Sequence, residues 1–109
     1  MVGGWALFTP RLMKELDPQK VKIVAVNALP AQLAFVESGL APVLLALPTY
    51  NWGSVSVQRI VDKVHLKQDV PPIIPPMEVV RVTKDNLGSW ARQLKAWGAS
   101  VPERYLNLK

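Results

Sequence analysis

The chain has 109 residues, a formal net charge of +5, and a composition that is 50% hydrophobic and 19% charged, which fits one small domain with an apolar core. It contains no cysteine and a single histidine, His65. Disulfides, cysteine nucleophiles and thiolate metal sites are therefore excluded, and one imidazole cannot hold a metal alone. The basic residues are scattered, which favours a solvated surface over a nucleic-acid-binding patch. No apolar run of about 18 residues predicts a membrane span, and the first residues lack the pattern of a signal peptide.

The first elements in chain order are a helix and a strand. Apolar residues at mixed helical spacing predict a helix that ends at Asp17 and begins near Thr9, because Pro10 suits a first helical turn. Residues 21–26 are few, β-branched and almost continuously apolar, as in a parallel strand that is covered on both faces.

A helix, a second strand and a third helix follow. Residues 28–38 predict a helix with Pro30 in its first turn and Gly39 just beyond its end. Residues 43–47 predict a second buried strand. Residues 51–65 predict a helix whose apolar residues follow the i, i+3, i+4, i+7 pattern: Val57, Ile60, Val61 and Val64.

The last third of the chain begins with a proline-rich stretch, residues 70–77, which predicts extended chain. It is either a ligand for a proline-binding module or a segment that crosses between two lobes, and its place between two periodic elements favours the crossing segment. Residues 78–82 predict a third strand. A final helix, capped by Thr83 or Asp85 and ended by Gly98, carries an apolar stripe.

The order of helices and strands predicts an α/β fold with parallel strands flanked by helices. Residues 102–109 fall outside this alternation, and we expect them to form a tail. Trp90 and Trp97 share the apolar stripe of the final helix, so we expect both rings in the core.

No motif for catalysis is present. The sequence lacks a nucleophile elbow, a zinc-binding H-E-x-x-H pair and a phosphate-binding loop. Asp62 and His65 are spaced i, i+3 on one predicted helix, which is typical of a surface pair. We therefore expect no enzymatic activity, no catalytic residue, no cofactor and no bound metal.

A candidate binding site comes from the strand ends, because ligands of open α/β sheets lie beyond the carboxyl ends of the strands. Asn27 follows the first predicted strand, Tyr50 and Trp52 follow the second, and Trp5 lies upstream of both. An amide donates to and accepts from hydroxyl groups, and an aromatic ring covers the apolar face of a pyranose, so these four residues are the predicted sugar-binding positions. The plainer interpretations are that Asn27 is a turn residue and that Trp52 packs in the first turn of a helix.

Several segments, in this order and spacing, resemble the C-terminal region of ribose-type periplasmic sugar-binding proteins, which have the type I periplasmic binding fold. Residues 21–30 and 35–39 match the place where the family has a strand ending near V-G-F-D-G-T and a helix closing in I-K-x-G. Residues 44–53 take the place of the family's A-x-x-A-Q-x-P turn and the start of the next helix. Residues 82–87, V-T-K-D-N-L, are similar to the family's V-T-K-E-N-V. The likeness spans nearly the whole chain and covers only the last part of the family's length.

The resemblance implies a three-layer, partial Rossmann-like lobe. Residues 1–109 would be the C-terminal portion of a two-lobed protein, with the inter-lobe crossing segments within residues 48–77. It implies the solute-binding component of an ATP-driven importer, with a small-molecule sugar between the lobes, a membrane permease as partner, and no nucleic acid. The implied location is the periplasm, or a lipid anchor outside a single-membrane bacterium, with the signal peptide upstream of this piece. The alternative is the effector-binding core of a lactose-repressor-like transcription regulator, which shares the fold and needs a helix-turn-helix upstream.

The resemblance also implies particular contacts, and this sequence departs from the family at them. The family's ligand-binding aspartate falls on Asn27, which keeps hydrogen-bonding ability without the charge. Its glutamine falls on Ala46, which cannot bond a hydroxyl, and a further polar residue falls near Gly4 and Trp5. In the family the helix at residues 51–65 belongs to the other lobe, so we expect its stripe to drive formation of a homodimer or swapped oligomer. We also expect weak or no sugar binding by this piece.

Overall fold

The computed structural model describes residues 4–71 and 78–108. Within these ranges one three-stranded sheet has the order β1-β2-β3, with β1 at Val24–Val26, β2 at Val43–Ala46 and β3 at Val80–Val82. The same ranges hold four α-helices: α1 at Leu33–Ser38, α2 at Thr49–Ile60, α3 at Leu87–Ala96 and α4 at Glu103–Leu106. The predicted α/β class is therefore confirmed.

The sheet is mixed, and the prediction of parallel strands holds only for its first pair. β1 and β2 run parallel, with Val24 opposite Val43 and Val26 opposite Leu45. β3 runs antiparallel to β2, with Leu45 opposite Arg81. The prediction was wrong for β3 because a short apolar run has the same pattern in either direction, and direction is set by where the connecting chain returns to the sheet.

The core lies on one face of this sheet. Along β2, Leu44 and Ala46 are fully buried while Val43 and Leu45 are half-buried, as expected for side chains that alternate between two faces. The buried side belongs to one apolar cluster with α1 and α3, whose contributing residues are Leu33, Val36, Leu87, Trp90, Ala91 and Leu94. Both helices are thus held by burial of one side, which is the main source of stability for short helices.

The helix signals read from the sequence are largely confirmed. Pro30 opens a 3-10 turn that leads into α1, and Gly39 follows α1 with a left-handed φ of 80°. Thr83 precedes the 3-10 turn at the start of α3, where its backbone N–H donates to Asn86 Oδ1 at 2.8 Å. Gly98, with a φ of 88°, follows that helix. Glycine is favoured at such ends because it reaches positive φ without steric cost.

The first predicted helix is wrong. Residues Trp5–Phe8 and Pro10–Met13 form two short 3-10 helices, and Thr9 between them has an extended backbone with φ of −116° and ψ of 87°. The residue before a proline is driven away from helical geometry by a clash with the ring. Pro10 starts a turn as predicted, but this turn is a 3-10 helix that ends at Met13 and does not continue to Asp17.

The predicted tail is also wrong. Residues 103–106 form α4, and Tyr105 in it is 1% exposed within the apolar cluster. Gly88 lies so close to Leu108 that a side chain on the glycine would strike the Leu108 carbonyl. Arg92 Nη1 donates to the carbonyls of Leu106 and Leu108 at 2.9 and 2.7 Å. The C-terminal residues up to 108 are therefore packed against α3.

The chain divides into two compact units. The first contains Met1–Leu47 and Val80–Lys109, and the second is Pro48–Val79. In the second unit α2 begins two residues before the predicted helix and continues into a π-helical turn at Val61–His65. Of the predicted proline-rich stretch, residues 72–77 lie outside the described residues.

Candidate functional site

The carboxyl ends of β1 and β2 form the candidate site, which we call the β1–β2 edge: Gly4, Trp5, Asn27, Ala28 and Gln32. Val26, the last residue of β1, pairs with Leu45 near the end of β2. The Asn27 N–H extends this ladder by donating to the Leu45 carbonyl at 2.9 Å. The prediction that the two strands lie side by side and parallel, with their ends at the same edge, is confirmed.

The turn that follows β1 has an unusual backbone. Asn27 and Ala28 have φ values of 95° and 52°, in the left-handed region that residues other than glycine rarely occupy. Asparagine tolerates this region, whereas alanine pays about 1 kcal/mol for it. The turn directs the chain away from the sheet immediately at the edge, which places the Asn27 side chain there.

A buried tryptophan holds this turn in place. Trp90 Nε1, on α3, donates to the Ala28 carbonyl at 2.8 Å, and the bond is buried. A second tryptophan, Trp97, packs edge-on against Trp90 with ring centroids 5.6 Å apart. The expected core position is confirmed for Trp90, while Trp97 is half-buried at the core's margin. The left-handed turn therefore persists because a packed helix fixes it.

A fully buried glutamine joins three segments at the same edge. Gln32 Oε1 accepts from the Leu29 N–H at 2.9 Å. Its Nε2 donates to the Val26 carbonyl at 3.1 Å and to the Gly4 carbonyl at 3.3 Å. Because every polar atom of this side chain has a partner, it can stay inside the protein without cost from unpaired groups.

Gly4 brings the N-terminal segment against the edge. A side chain at this position would lie 2.6 Å from the Val26 carbonyl and 3.0 Å from Asn27 Nδ2, so only glycine allows this approach. Trp5 follows directly and is 87% exposed. The structure thus brings the backbone segment that carries Trp5 against the turn at Asn27.

The Asn27 side chain stands apart from the hydrogen bonds that fix the edge. Its side chain is half-buried and makes no hydrogen bond with the residues described, 4–71 and 78–108. The other predicted contact of this strand pair, Ala46, is fully buried on the core face. Ala46 therefore contributes packing at this edge and no polar contact.

Tyr50 and Trp52, the other two predicted residues, lie in the second unit. Both are in the first turn of α2 and both are exposed. Trp52 lies in a first helical turn, as in the plainer interpretation, and its side chain is exposed.

Sequence reasoning missed the two side chains that fix the site. Gln32 stands three residues after Leu29, the spacing of a capping box, but the pattern that signals one begins with serine or threonine. Trp90 was placed in the core, where a buried indole N–H needs an acceptor. A buried indole therefore predicts a hydrogen bond, but the sequence does not show that its acceptor is Ala28, which is 62 positions away.

The edge itself is uncharged, and the resolved pKa shifts lie elsewhere. Burial raises the pKa of the Tyr105 phenol above its usual value, the hydrogen bond from Arg104 opposes this, and the hydrogen bond to Glu37 adds to it. The hydrogen bond to Tyr105 is the largest cause that raises the pKa of Arg104. The β1–β2 edge therefore offers neutral hydrogen bonding and an aromatic ring, with no acid or base.

Searches for other kinds of site and for related proteins found no match. Within the described ranges there is no cluster of three histidine, aspartate or glutamate side chains that could hold a metal. No helix of the described chain is long and apolar enough to cross a membrane. No protein-family model, curated protein or solved structure matches this chain. The geometry of the β1–β2 edge is therefore the basis of the functional argument.

Proposed function

We propose that the chain is part of a sugar-binding protein and that its β1–β2 edge forms one side of the sugar site. The observation that carries this proposal is the half-buried Asn27 amide, without a hydrogen-bond partner among the described residues. It lies at a strand end against which Gly4 packs, and the exposed Trp5 follows Gly4 in the chain. A ligand with several hydroxyl groups and an apolar ring face fits this pair of side chains.

The chemistry of the two side chains supports a neutral carbohydrate. The amide offers two donors and one acceptor with two lone pairs, so it can bond neighbouring hydroxyls that are themselves donors and acceptors. The tryptophan ring supplies the apolar surface on which a pyranose face stacks. An anionic ligand would gain nothing from an edge that carries no positive charge.

The rigidity of the edge supports a binding role. Trp90 and Gln32 fix the turn before a ligand arrives, so little conformational freedom is lost on binding. A left-handed turn of two residues other than glycine costs stability and is common at functional sites. Open α/β sheets bind ligands beyond the carboxyl ends of their strands, and the common end of β1 and β2 at this edge supports the proposal.

The finer assignments belong to the same proposal. The chain is the C-terminal portion of a type I periplasmic binding lobe, with helices on both faces of the complete sheet. The complete protein closes two lobes on a sugar by a hinge motion, delivers it to a membrane permease of an ATP-driven importer, and works in the periplasm.

An NMR titration tests the site directly. The chain is titrated with a panel of monosaccharides to about 100 mM, where a site of millimolar Kd is saturated, while the Asn27 side-chain amide and the Trp5 indole resonances are followed. We expect saturable shifts at both positions for at least one pyranose, and none with an acyclic polyol. Saturable binding of a sugar that moves neither resonance would contradict the proposed site.

Asn27→Gly separates binding from folding. Glycine suits the positive φ of this position, so the fold is kept while the amide is lost, and we expect Kd to rise about tenfold. The matched control is Asn107→Gly, which removes an exposed asparagine after α4 and should leave Kd unchanged. Equal affinity in Asn27→Gly and the unaltered chain would remove Asn27 from the site.

A further inference from the structure

The C-terminal segment, residues 98–108, runs back along α3. At the C-terminal end of the helix, the Ala99 N–H donates to the Leu94 carbonyl at 2.9 Å. At the N-terminal end of the helix, Gly88 lies so close to Leu108 that no side chain fits between them. The segment therefore extends from the last turn of α3 to its first turn.

The C-terminal segment is attached to two helices. Arg92 of α3 donates to the carbonyls of Leu106 and Leu108 at 2.9 and 2.7 Å. Tyr105, which is 1% exposed, donates from its hydroxyl to Oε2 of Glu37 in α1 at 3.0 Å. The segment thus connects α1 with α3.

The same two helices hold the left-handed turn at Asn27 and Ala28. Gln32, in the 3-10 turn that leads into α1, donates to the carbonyl of Val26 just before this turn. Trp90 of α3 donates to the Ala28 carbonyl. A turn of this kind persists only where its surroundings fix it, and helices of six and ten residues depend on packing for their own stability. The contacts that keep α1 and α3 in place therefore bear on the turn as well.

We propose that the C-terminal segment is a brace for the β1–β2 edge, and that its attachment to α1 and α3 keeps the turn at Asn27 in its left-handed form. Arg92 and Gly88 are then positioning residues, which act on the edge through α3. Trp97, directly before the segment, packs edge-on against Trp90, the side chain that holds the turn. That a sugar binds at this turn rests on the proposed function, whereas the brace itself does not.

Gly88→Ala displaces the segment at one point. The added methyl group strikes the Leu108 carbonyl, while alanine favours a helix more than glycine does, so α3 should be kept and circular dichroism should show unchanged helix content. The matched control is Gly53→Ala on α2, where a side chain meets nothing within 4 Å.

Arg92→Gln releases the segment without a steric clash, because the shorter side chain loses the two bonds to the carbonyls of Leu106 and Leu108. Its matched control is Lys95→Gln, which removes the same charge from the same helix. The side chain of Lys95 makes no hydrogen bond or ion pair with the part of the chain that the structure describes, residues 4–71 and 78–108.

Hydrogen exchange, followed by NMR in the whole chain, measures the turn and a reference at once. The Trp90 indole N–H and the Asn27 backbone N–H report the edge, through their bonds to Ala28 and to β2. The Ile23 N–H donates to the Leu40 carbonyl at 2.8 Å at the other end of β1, and it reports the general stability of the unit.

We expect exchange at the two edge positions to become about tenfold faster in Gly88→Ala and in Arg92→Gln, because local opening is easier when a supporting contact is lost. Exchange at Ile23 should change by less than about twofold. Gly53→Ala and Lys95→Gln should leave all three rates unchanged.

Two results would overturn the brace. Equal acceleration at all three positions would mean that the segment adds only general stability, and unchanged edge rates in both variants would mean that the turn is fixed without it. The sugar titration is a separate measurement. Sugar binding with unresponsive edge rates would keep the proposed function and reject the brace, and responsive edge rates without sugar binding would do the reverse.

Discussion

The two units of the chain have similar apolar stretches but opposite outcomes for them. In the first unit, Leu44 of β2 is fully buried, and the apolar cluster to which it belongs lies wholly in that unit. In the second unit, Ile60 of α2 keeps 62% of its surface exposed and no residue of 49–65 is buried. The comparison shows that an apolar pattern identifies residues that can be buried. Whether they are buried depends on the elements that pack against them.

The functional residues follow the same division. In the first unit, Asn27 lies on a turn that Trp90 and Gln32 hold in place. A binding site requires side chains that are held rigidly in this way. The second unit offers an exposed surface, which suits association and not precise positioning. Variants that act on one unit and spare the other test this contrast.

The largest expected effect is on the core of the first unit. Leu44→Ala should lower the free energy of unfolding by about 3 kcal/mol, because it removes a fully buried side chain and leaves a cavity. The matched variant Ile60→Ala should change it by less than about 0.5 kcal/mol, because the side chain is already exposed. Chemical denaturation at micromolar concentration measures both. Equal losses would abolish the contrast between the units.

Replacement of the buried glutamine should have the next largest effect. Gln32→Met keeps the shape of the side chain but leaves the Leu29 N–H and the Val26 and Gly4 carbonyls without their partner, which should cost about 2 kcal/mol. Gln68→Met, in the second unit, is the control and should be nearly neutral. The same denaturation series measures both variants. Hydrogen exchange of the Asn27 backbone N–H, which donates to the Leu45 carbonyl, should become faster in Gln32→Met. An unchanged exchange rate would mean that Gln32 does not fix the edge.

A smaller effect with a characteristic pH dependence is expected at Tyr105. Its hydroxyl accepts from Arg104 Nη2 at 2.6 Å and donates to Glu37 Oε2 at 3.0 Å, so Tyr105→Phe should lose about 1 kcal/mol at neutral pH. The ion pair between Arg104 and Glu37 is exposed and adds little.

Because the pKa of Tyr105 is raised, the free energy of unfolding should depend on pH differently in the unaltered chain and in Tyr105→Phe. The folded state keeps the phenol protonated at pH values where the unfolded chain, with a pKa of 10.0, releases the proton. The contribution of Tyr105 is therefore complete below about pH 10 and falls as the pH rises toward the folded pKa. Unfolding measured from pH 7 to 11 should show a steeper alkaline loss in the unaltered chain than in Tyr105→Phe. Parallel curves would contradict the burial of this phenol.

The smallest effect concerns the strained turn. Asn27→Gly should raise the free energy of unfolding by about 0.5 kcal/mol, because glycine adopts positive φ more easily, although it also gives the unfolded chain more freedom. Asn107→Gly, at a residue with a φ of −89°, should lower it by a similar amount. A loss of stability in Asn27→Gly would show that the Asn27 side chain stabilises the turn, and would weaken the case for a side chain kept free for a ligand.

Much of the fold could be predicted because its signals are local. Gly39 and Gly98 end helices, Pro30 starts a turn, and β1 and β2 have the continuous apolar character of buried parallel strands. The strands were predicted too long at their starts, as residues 21–26 and 78–82 against Val24–Val26 and Val80–Val82, because the pairing partner decides where a ladder begins.

Of the predicted site, the place of Asn27 at the common end of β1 and β2 could be predicted, because strand ends in a parallel pair meet at one edge. The bond from Trp90 to Ala28 and the three bonds of Gln32 could not be predicted, since they join segments far apart in the chain. The inter-lobe role of residues 48–77, the sugar and the permease stay predictions.

Local sequence was enough to predict which segments are apolar, where most helices begin and end, and that two parallel strands end beside an asparagine. Those features depend on the backbone preferences and hydrophobic spacing of neighbouring residues. The direction of β3, the burial of Tyr105, the left-handed turn held by Trp90 and the exposure of the apolar residues of α2 became visible only in the folded chain. Each of these depends on which distant segments come into contact, and such contacts leave no pattern within a short stretch of chain.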